Sequence, residues 1–600
     1  KYHKESAEMS IQIDSVRIKG FRGLENVELT LEKTTILTGM NNSGKTSFLK
    51  AIQLALGNRQ FVSHDDFFIK ESSTVDTIIV DLLIVPTNGD GERIETFSED
   101  WEILFTTDRI QNDSDGKAFI PLRTTITFDV MKNIYHTEQY ILQTWPKFKD
   151  NHINWYDLQN GTRRAFHFDE VLFFYVDAQR DILEDTKLRT SYLGKMLSKI
   201  EYSKEDVESI EKQISSLNEM AVSSSDVLSN IKTALNELDT AMDTNSEGIE
   251  VTPFTKKIRD LSKGLTIYYT DSQDSFSMEY HGMGTRSWSS LLTLKAFISY
   301  LSSNATKDGS VFYPILAIEE PEAHLHPNAQ KMLYRQIDDI PGQKIISTHS
   351  PYIPGAAKLS EVRNFHKNGP VTCGMININN LTSEDRRKIT RQVVNTRGEL
   401  FFSKMIIFCE GETEEQGLPI FAHKYFNKTH VNLGVDFIGV GGVGNYLPFL
   451  YFAESLKIPW LIFSDAENTP DKNIIASVRK QLTECGTTKS ESDCVVFLDE
   501  GNDYEKQLIK DGYQDEIKEA ILSCDVYENE QHRLAKEPGR ISEIKALDDD
   551  KLYDTITRNK TQYGPAISEI IVKQGRDIPP KVIELFEKVS TMLGITMGTE

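Results

Sequence analysis

Cysteine is scarce: 5 residues in 600, at Cys373, Cys409, Cys485, Cys494 and Cys524, with no C-x-x-C spacing among them. That scatter disfavours a zinc site or a disulfide frame and suits a reducing compartment, with the thiols as small core or surface residues. No apolar run approaches the roughly 18 residues a membrane span needs. No charged, apolar and small-residue leader opens the chain either, so a cytoplasmic location is expected. Positive charge is short as well: 67 Lys and Arg against 90 Asp and Glu leave a net charge of −23. A protein that meets nucleic acid through a broad basic face has the opposite sign, so any contact with a phosphate backbone needs a local basic groove and bound cations. Internal repeats and low-complexity segments are absent too.

What is present is length and pattern. A chain of 600 residues exceeds what one core organises, so two or more domains are expected. Apolar alternation begins at Ile11, and Met9 is the expected natural start. Residues 11 to 38 read as short strands, the last running through Thr35-Ile36-Leu37 into a glycine loop. Helical spacing follows at Phe48, Leu49, Ile52 and Leu56. From Val75 to Val176 alternating Val, Ile, Thr and Phe predict antiparallel strands, ending in a buried strand at Val171 to Val176. Between Lys204 and Met242 the period turns helical. One stripe holds Val207, Ile210, Ile214 and Leu217, the next Leu228, Ile231, Leu235, Leu238 and Met242, with a Ser-rich turn at Ser223 to Ser225 between them. This predicts an inserted helical hairpin, packed on its own domain or used for dimerisation. Residues 254 to 370 return to strand and helix, and the polar run from Leu381 to Glu399 reads as a linker. Met405 to Phe408, Val435 to Ile438 and Trp460 to Phe463 are short buried strands of a small parallel α/β domain, followed by mostly helical sequence.

Four motifs carry chemistry. In Gly39-Met40-Asn41-Asn42-Ser43-Gly44-Lys45-Thr46-Ser47 the glycines turn backbone N–H groups, including those of Asn41, Asn42 and Gly44, onto phosphate oxygens. Lys45 reaches the terminal phosphates, and the Thr46 hydroxyl ligates magnesium, with Ser47 beside it. Leu316-Ala317-Ile318-Glu319-Glu320 is a buried strand ending in two carboxylates. One can hold Mg²⁺ while its neighbour orients the attacking water. A second buried strand, Lys344 to Ser347, leads to His349. Further on, Glu410-Gly411-Glu412-Thr413-Glu414 ends a strand with Glu410 and Glu414 one helical turn apart on one face. Ser464-Asp465-Ala466-Glu467 ends another, where alternate Asp465 and Glu467 can share a site if the chain stays extended. Hard oxygen ligands of this kind suit Mg²⁺ or Mn²⁺.

The first two motifs with His349 resemble the ABC-type ATPase heads of the SMC and recombination-repair group. The resemblance implies ATP as cofactor with one magnesium ion, Glu319 as the magnesium carboxylate, Glu320 as the catalytic base and His349 as the γ-phosphate sensor. It makes Gln179 the glutamine-loop residue and puts Gly282 to Ser287 in the place of the signature motif that reaches a partner head's ATP. The segment departs from the usual Ser-Gly-Gly-Gln form, which leaves the strength of ATP hydrolysis open. The order E-G-x-x-E, a glycine turn at Gly439 to Gly444, then D-x-E resembles the topoisomerase-primase (Toprim) fold. An ATPase head followed by Toprim resembles the OLD (overcoming lysogenisation defect) nucleases over nearly the whole chain.

That resemblance implies an α/β multidomain protein. Residues 9–182 and 254–380 would form the ABC-type ATPase head, 183–253 a helical and dimerising insertion, 381–399 a linker, and 400–600 a Toprim domain with C-terminal helices. Glu410 and Glu414 would hold one metal ion and Asp465 and Glu467 would ligate metal. Asp503 or Glu505 would complete a second site, and Lys560, a late lysine before a helix, would stabilise charge on the scissile phosphate. The implied activity is an ATP-regulated, two-metal DNA endonuclease of bacterial anti-phage defence, acting on double-stranded DNA as a homodimer or larger assembly. A helicase, a reverse transcriptase with its RNA-templated DNA, or another defence subunit is a possible partner. An RNA-cleaving effector, for tRNA as an example, keeps the same domains and stays open. A topoisomerase-like enzyme would need a tyrosine nucleophile, for which Tyr446 and Tyr504 are candidates without a motif. A long SMC-like scaffold is disfavoured by the short hairpin.

Overall fold

The computed structural model describes residues 9–595 apart from 58–61, 71–72, 130, 150–153, 158–160, 189, 198–202, 230–267, 272–273 and 470–471. Two sheets organise the first part. One is antiparallel, in the order Gly161–Arg163, Ile134–Leu142, Ala118–Asp129, Thr77–Thr87, Ser10–Phe21, Leu24–Thr30. Its first strand runs 12 residues rather than breaking into short pieces, and a register shift between Ile13 and Ser15 lets it bend. The other is parallel but for its last strand, in the order Phe173–Val176, Ile315–Glu319, Gln343–Ser347, Thr34–Thr38, Val362–Lys367, Val371–Met375. Its three central strands are buried at every residue, as a sheet covered on both faces requires. The helix Lys45–Ala55 lies between the sheets, with Phe48, Leu49 and Ile52 in one core with Val16, Val80, Leu82 and Ile345. The helices Met283–Asp308 and Pro327–Asp338 cover the far face with Leu291, Leu294, Leu333 and Ile337.

The inserted helix Lys204–Ser223 buries Ile214, Asn218 and Val222, a stripe of spacing four. Leu217, expected on the buried stripe, is 53% exposed, because it lies one position off that face. Of the second stripe, Leu228 is half-buried in a helical turn, and the rest, from Ile231 to Met242, falls outside the described residues.

Residues 381–399 are not a linker. They form the helix Ser383–Lys388, a π-helical turn Ile389–Val394 and the start of a 3₁₀ turn Gly398–Phe402. Leu381, Ile389, Val393, Val394, Leu400 and Phe401 are buried in a core shared with Val362 of the first part and Ile406, Phe408 and Trp460 of the second. Charge on the outward face made the segment look unstructured in sequence.

The second domain has a parallel sheet in the order Val435–Gly439, Met405–Cys409, Trp460–Ser464, Val495–Phe497; the last strand was not anticipated. The helix Lys560–Lys573 packs on Glu412–Phe426 at close range. A Cβ at Gly564 would lie 2.6 Å from Thr413 Cγ2, so the glycine lets the two helices approach. Among the described residues no helix is long and apolar enough to cross a membrane.

Candidate functional site

In the first domain the glycine loop, Gln179, Glu319, Glu320 and His349 lie at the carboxyl ends of parallel strands, the edge where open α/β sheets collect ligands. Lys45 is buried in the glycine loop, its Nζ donating to the carbonyls of Gly39 at 2.7 Å and Met40 at 2.8 Å. Burial pushes its pKa down to about 8, partly offset by the charges of Glu320 and Glu322. Asn41, Asn42 and Thr46 are exposed, Ser47 is half-buried, and Asn42 holds a left-handed φ of 58°. Glu319 is buried and accepts a hydrogen bond from the Tyr175 hydroxyl. Glu320 also turns left-handed, at φ 42°, and its Oε1 lies 3.8 Å from His349 Nε2. Burial, then the Lys45 charge, lowers the His349 pKa, so neutral imidazole is favoured. Gln179 is exposed and lines a cavity of about 610 Å³ with Asp181, Met283 and His324. The signature-like segment begins the helix Met283–Asp308, and its Arg286 pairs with Asp181 beside Gln179.

In the second domain Cys409 and Phe463 are paired on neighbouring strands, so the residues that follow, Glu410 and Asp465, leave the same sheet edge. Glu414 is buried in the first turn of Glu412–Phe426. Asp503 caps the helix Tyr504–Lys510, with Oδ1 accepting the Lys506 N–H at 2.9 Å, and Glu505 follows in its first turn. Burial, then the charges of Glu414, Glu410, Asp503 and Glu505, raises the Asp465 pKa well above the carboxylate range. Burial, then Glu505 and Glu410, pushes Glu414 up to about 7 against the pull of Lys560. Lys560 stands at the first residue of its helix rather than before it, with Nζ 2.7 Å from Glu505 Oε2 and 3.8 Å from Asp503 Oδ2. Burial disfavours its charge, but Glu505 and Asp503 outweigh that and raise its pKa. Glu467 is half-buried, and its charge acts on Tyr553.

Among the described residues no three acidic, histidine or cysteine side chains already converge as a finished ion cage. The chemistry nonetheless fits a hard cation: five carboxylates share one edge, and the buried Asp465 Oδ1 has no hydrogen-bond partner. Tyr446 and Tyr504, the candidate nucleophiles of the topoisomerase alternative, are 0% and 2% exposed. Burial comes first among the causes that hold both phenols far above their ordinary pKa. Neither is placed to attack a nucleic-acid strand.

The family model described as "AAA ATPase domain" matches residues 11–353, and that described as "Overcoming lysogenization defect protein-like, TOPRIM domain" matches 401–466. The chain belongs to the AAA ATPase domain family and carries an OLD-like Toprim domain. The Old nuclease of Escherichia phage P2 is 23% identical over 80% of this chain and 81% of its own length. The OLD nuclease of Thermus scotoductus is 23% identical over 76% and 82%. Among solved structures, the C-terminal region of the Burkholderia pseudomallei OLD protein is 19% identical, covers 32% of this chain and 99% of its own, and has a TM-score of 0.24. The two family models and the nuclease relatives bear out the OLD-type pairing expected from sequence, and ATPase and Toprim domains use nucleotide and divalent metal in general.

This OLD-type chain also contains functional-site neighbours that sequence reasoning missed. Glu322 Oε1 accepts from Thr348 Oγ1 at 2.8 Å, from His349 N at 2.7 Å and from Ser350 N at 3.1 Å, so it shapes the loop that carries His349. Arg180 donates to the carbonyls of Glu319, Glu320 and Pro321. Their signal lay in the motifs themselves, one residue beyond Gln179 and two beyond Glu320. The folded segment 381–402 touches both sites. Phe402 stacks on His349 with ring centroids 6.0 Å apart, and Arg397 Nη2 pairs at 2.9 Å with Glu415, the neighbour of Glu414.

Proposed function

We propose that the protein is an ATP-regulated, divalent-metal-dependent DNA endonuclease. The observation that carries this reading is the cluster of Glu410, Glu414, Asp465, Asp503 and Glu505 at one sheet edge, with Asp465 Oδ1 buried and unpartnered and Lys560 alongside. Relatives named as nucleases match about four fifths of the chain, which supports phosphodiester hydrolysis. Glu410 and Glu414 would hold one ion, with Asp465, Glu467 and Asp503 or Glu505 around a second. Bound Mg²⁺ or Mn²⁺ would supply an activated water and screening of the leaving oxygen, which lets so acidic a chain accept a phosphate backbone. Lys560, kept charged by its carboxylate partners, would stabilise negative charge on the scissile phosphate.

In the ATPase, Lys45 and Thr46 serve the phosphates and their magnesium ion, Glu319 the same ion, Glu320 the attacking water, and His349 the γ-phosphate. Gly282 to Ser287 would complete the site of a second copy, so the working form is a homodimer or a larger assembly. Exposed Leu217 and Met220 on Lys204–Ser223 offer an apolar face for it. The contacts of 381–402 with His349 and Glu415 support control of cleavage by nucleotide state. Anti-phage defence is the setting that family analogy favours.

The test is cleavage of supercoiled plasmid, with RNA in parallel, in Mg²⁺ or Mn²⁺ with and without ATP. Nicking or linearisation that disappears in Glu410→Ala and changes its ATP response in Lys45→Ala is the expected result. Cleavage of RNA alone, or cleavage untouched by Glu410→Ala, refutes it.

A further inference from the structure

Asp503 is 3% exposed, and both of its carboxylate oxygens are already engaged. Oδ1 accepts the backbone N–H of Lys506 at 2.9 Å as the helix cap. Oδ2 accepts the hydroxyl of Tyr553 at 2.6 Å, and Lys560 Nζ stands 3.8 Å from the same oxygen. The backbone cap alone leaves the carboxylate free to swing about the capped oxygen. The tyrosine bond removes that freedom and fixes where the lone pairs of Oδ2 point.

Tyr553 is itself firmly mounted. It belongs to the helix Asp549–Arg558, which buries Leu552 and Ile556 in the second domain's core and is capped by Asp548. Lys506 Nζ lies 4.8 Å from the ring centroid, holding the ring from its face. Burial, the bond to Asp503 and the nearby charges of Asp503, Glu467 and Glu505 all push the phenol pKa up, so the hydroxyl stays a donor at any working pH. The residue therefore stands within the influence of three carboxylates of the cluster while bonding one.

We infer that Tyr553 is a positioning residue of the metal site: its hydroxyl orients the Asp503 carboxylate and, with Lys560, decides which oxygen lone pair is offered to a divalent cation. The inference rests on the reading of the carboxylate cluster as a metal-dependent nuclease centre. A donor that orients a ligating carboxylate contributes about 10- to 100-fold in metal affinity. The hydroxyl can be removed with the ring left in place.

The full-length chain, free of nucleotide so that the ATPase holds no magnesium, is titrated with Mn²⁺ by calorimetry as wild type, Tyr553→Phe and Glu410→Ala. Tyr553→Phe is expected to bind Mn²⁺ about tenfold more weakly, with its thermal midpoint unchanged within about 2 °C. In plasmid cleavage the Mn²⁺ concentration for half-maximal rate should rise by a similar factor, with the rate at saturating Mn²⁺ within twofold of wild type. A purely structural tyrosine would lower the midpoint and leave the metal dependence alone. Wild-type Mn²⁺ affinity in Tyr553→Phe overturns the inference. If wild type itself binds no Mn²⁺, the nuclease-centre reading falls and takes the inference with it, and the two failures are told apart by which protein shows them.

Discussion

Gly374→Ala should loosen the junction of the two domains. Gly374 lies in the edge strand Val371–Met375 of the first domain, where a Cβ would lie 2.3 Å from Leu456 C and 2.5 Å from Leu456 Cα and O. All three atoms are backbone, so no side-chain rotation relieves the clash, and the surfaces must part by about 1 Å to restore ordinary contact. Two hydrogen bonds cross the same junction: Asn364 Nδ2 to Leu456 O at 3.2 Å and His366 Nε2 to Lys404 O at 3.0 Å. Overpacking costs about 1–3 kcal/mol and the two stretched bonds about 1 kcal/mol each, so a loss of roughly 3–5 kcal/mol is expected. Calorimetry should show a midpoint lowered by several degrees, or two separate transitions where wild type has one. Nucleotide binding at the glycine loop, which lies on the other side of the strand Val362–Lys367, should persist while the effect of ATP on cleavage weakens. Gly23→Ala is the control, because nothing lies within 4 Å of a Cβ there. A Gly374→Ala protein with wild-type melting and wild-type ATP response would refute the reasoning.

Three other outcomes are expected. Glu322→Ala removes the acceptor of three hydrogen bonds in the His349 loop and should lower kcat for ATP about 10- to 100-fold with KM within a few-fold, in a steady-state ATPase assay. Phe402→Ala removes the ring that stacks on His349 and should leave basal ATP hydrolysis and metal-only cleavage near wild type while abolishing the influence of one on the other, read by both assays on one preparation. Glu414 has its folded pKa raised to about 7 by burial and neighbouring carboxylates, so the stability it contributes is present below about pH 4.5 and is lost as pH rises to 7. In chelator the wild type should thus lose up to about 3 kcal/mol across that window relative to Glu414→Gln, read by denaturant melts at pH 4.5 and 7.5, and equal slopes for the two proteins would count against it.

Several features were legible because they are local. Strand, glycine loop and helix at Thr34 to Ala55 occupy one stretch of chain, and the periodicity that marks the strand also aims the loop. Glu319 ends a buried strand and His349, Glu410 and Asp465 each come after one, and parallel strands deliver their carboxyl ends to one edge, so reading the strands nearly reads the site. The misreadings have a common cause. The segment 381–399 hides Ile389, Val393 and Val394 among charges that face outward, and its burial depends on two domains meeting there. Leu217 lost its place to Asn218 because the buried face of a helix is set by what it packs against.

By itself the sequence determined the two chemistries, the order of the domains and the strand ends at which the carboxylates sit, since each depends on residues within a turn or a strand of one another. Only the tertiary structure decided that Lys560 meets Glu505 across 55 positions, that Tyr553 meets Asp503 across 50, and that Phe402 meets His349. Those contacts depend on how separate helices dock, as at Gly564 against Thr413, and the summed packing of many side chains that fixes such docking leaves no local pattern in the chain.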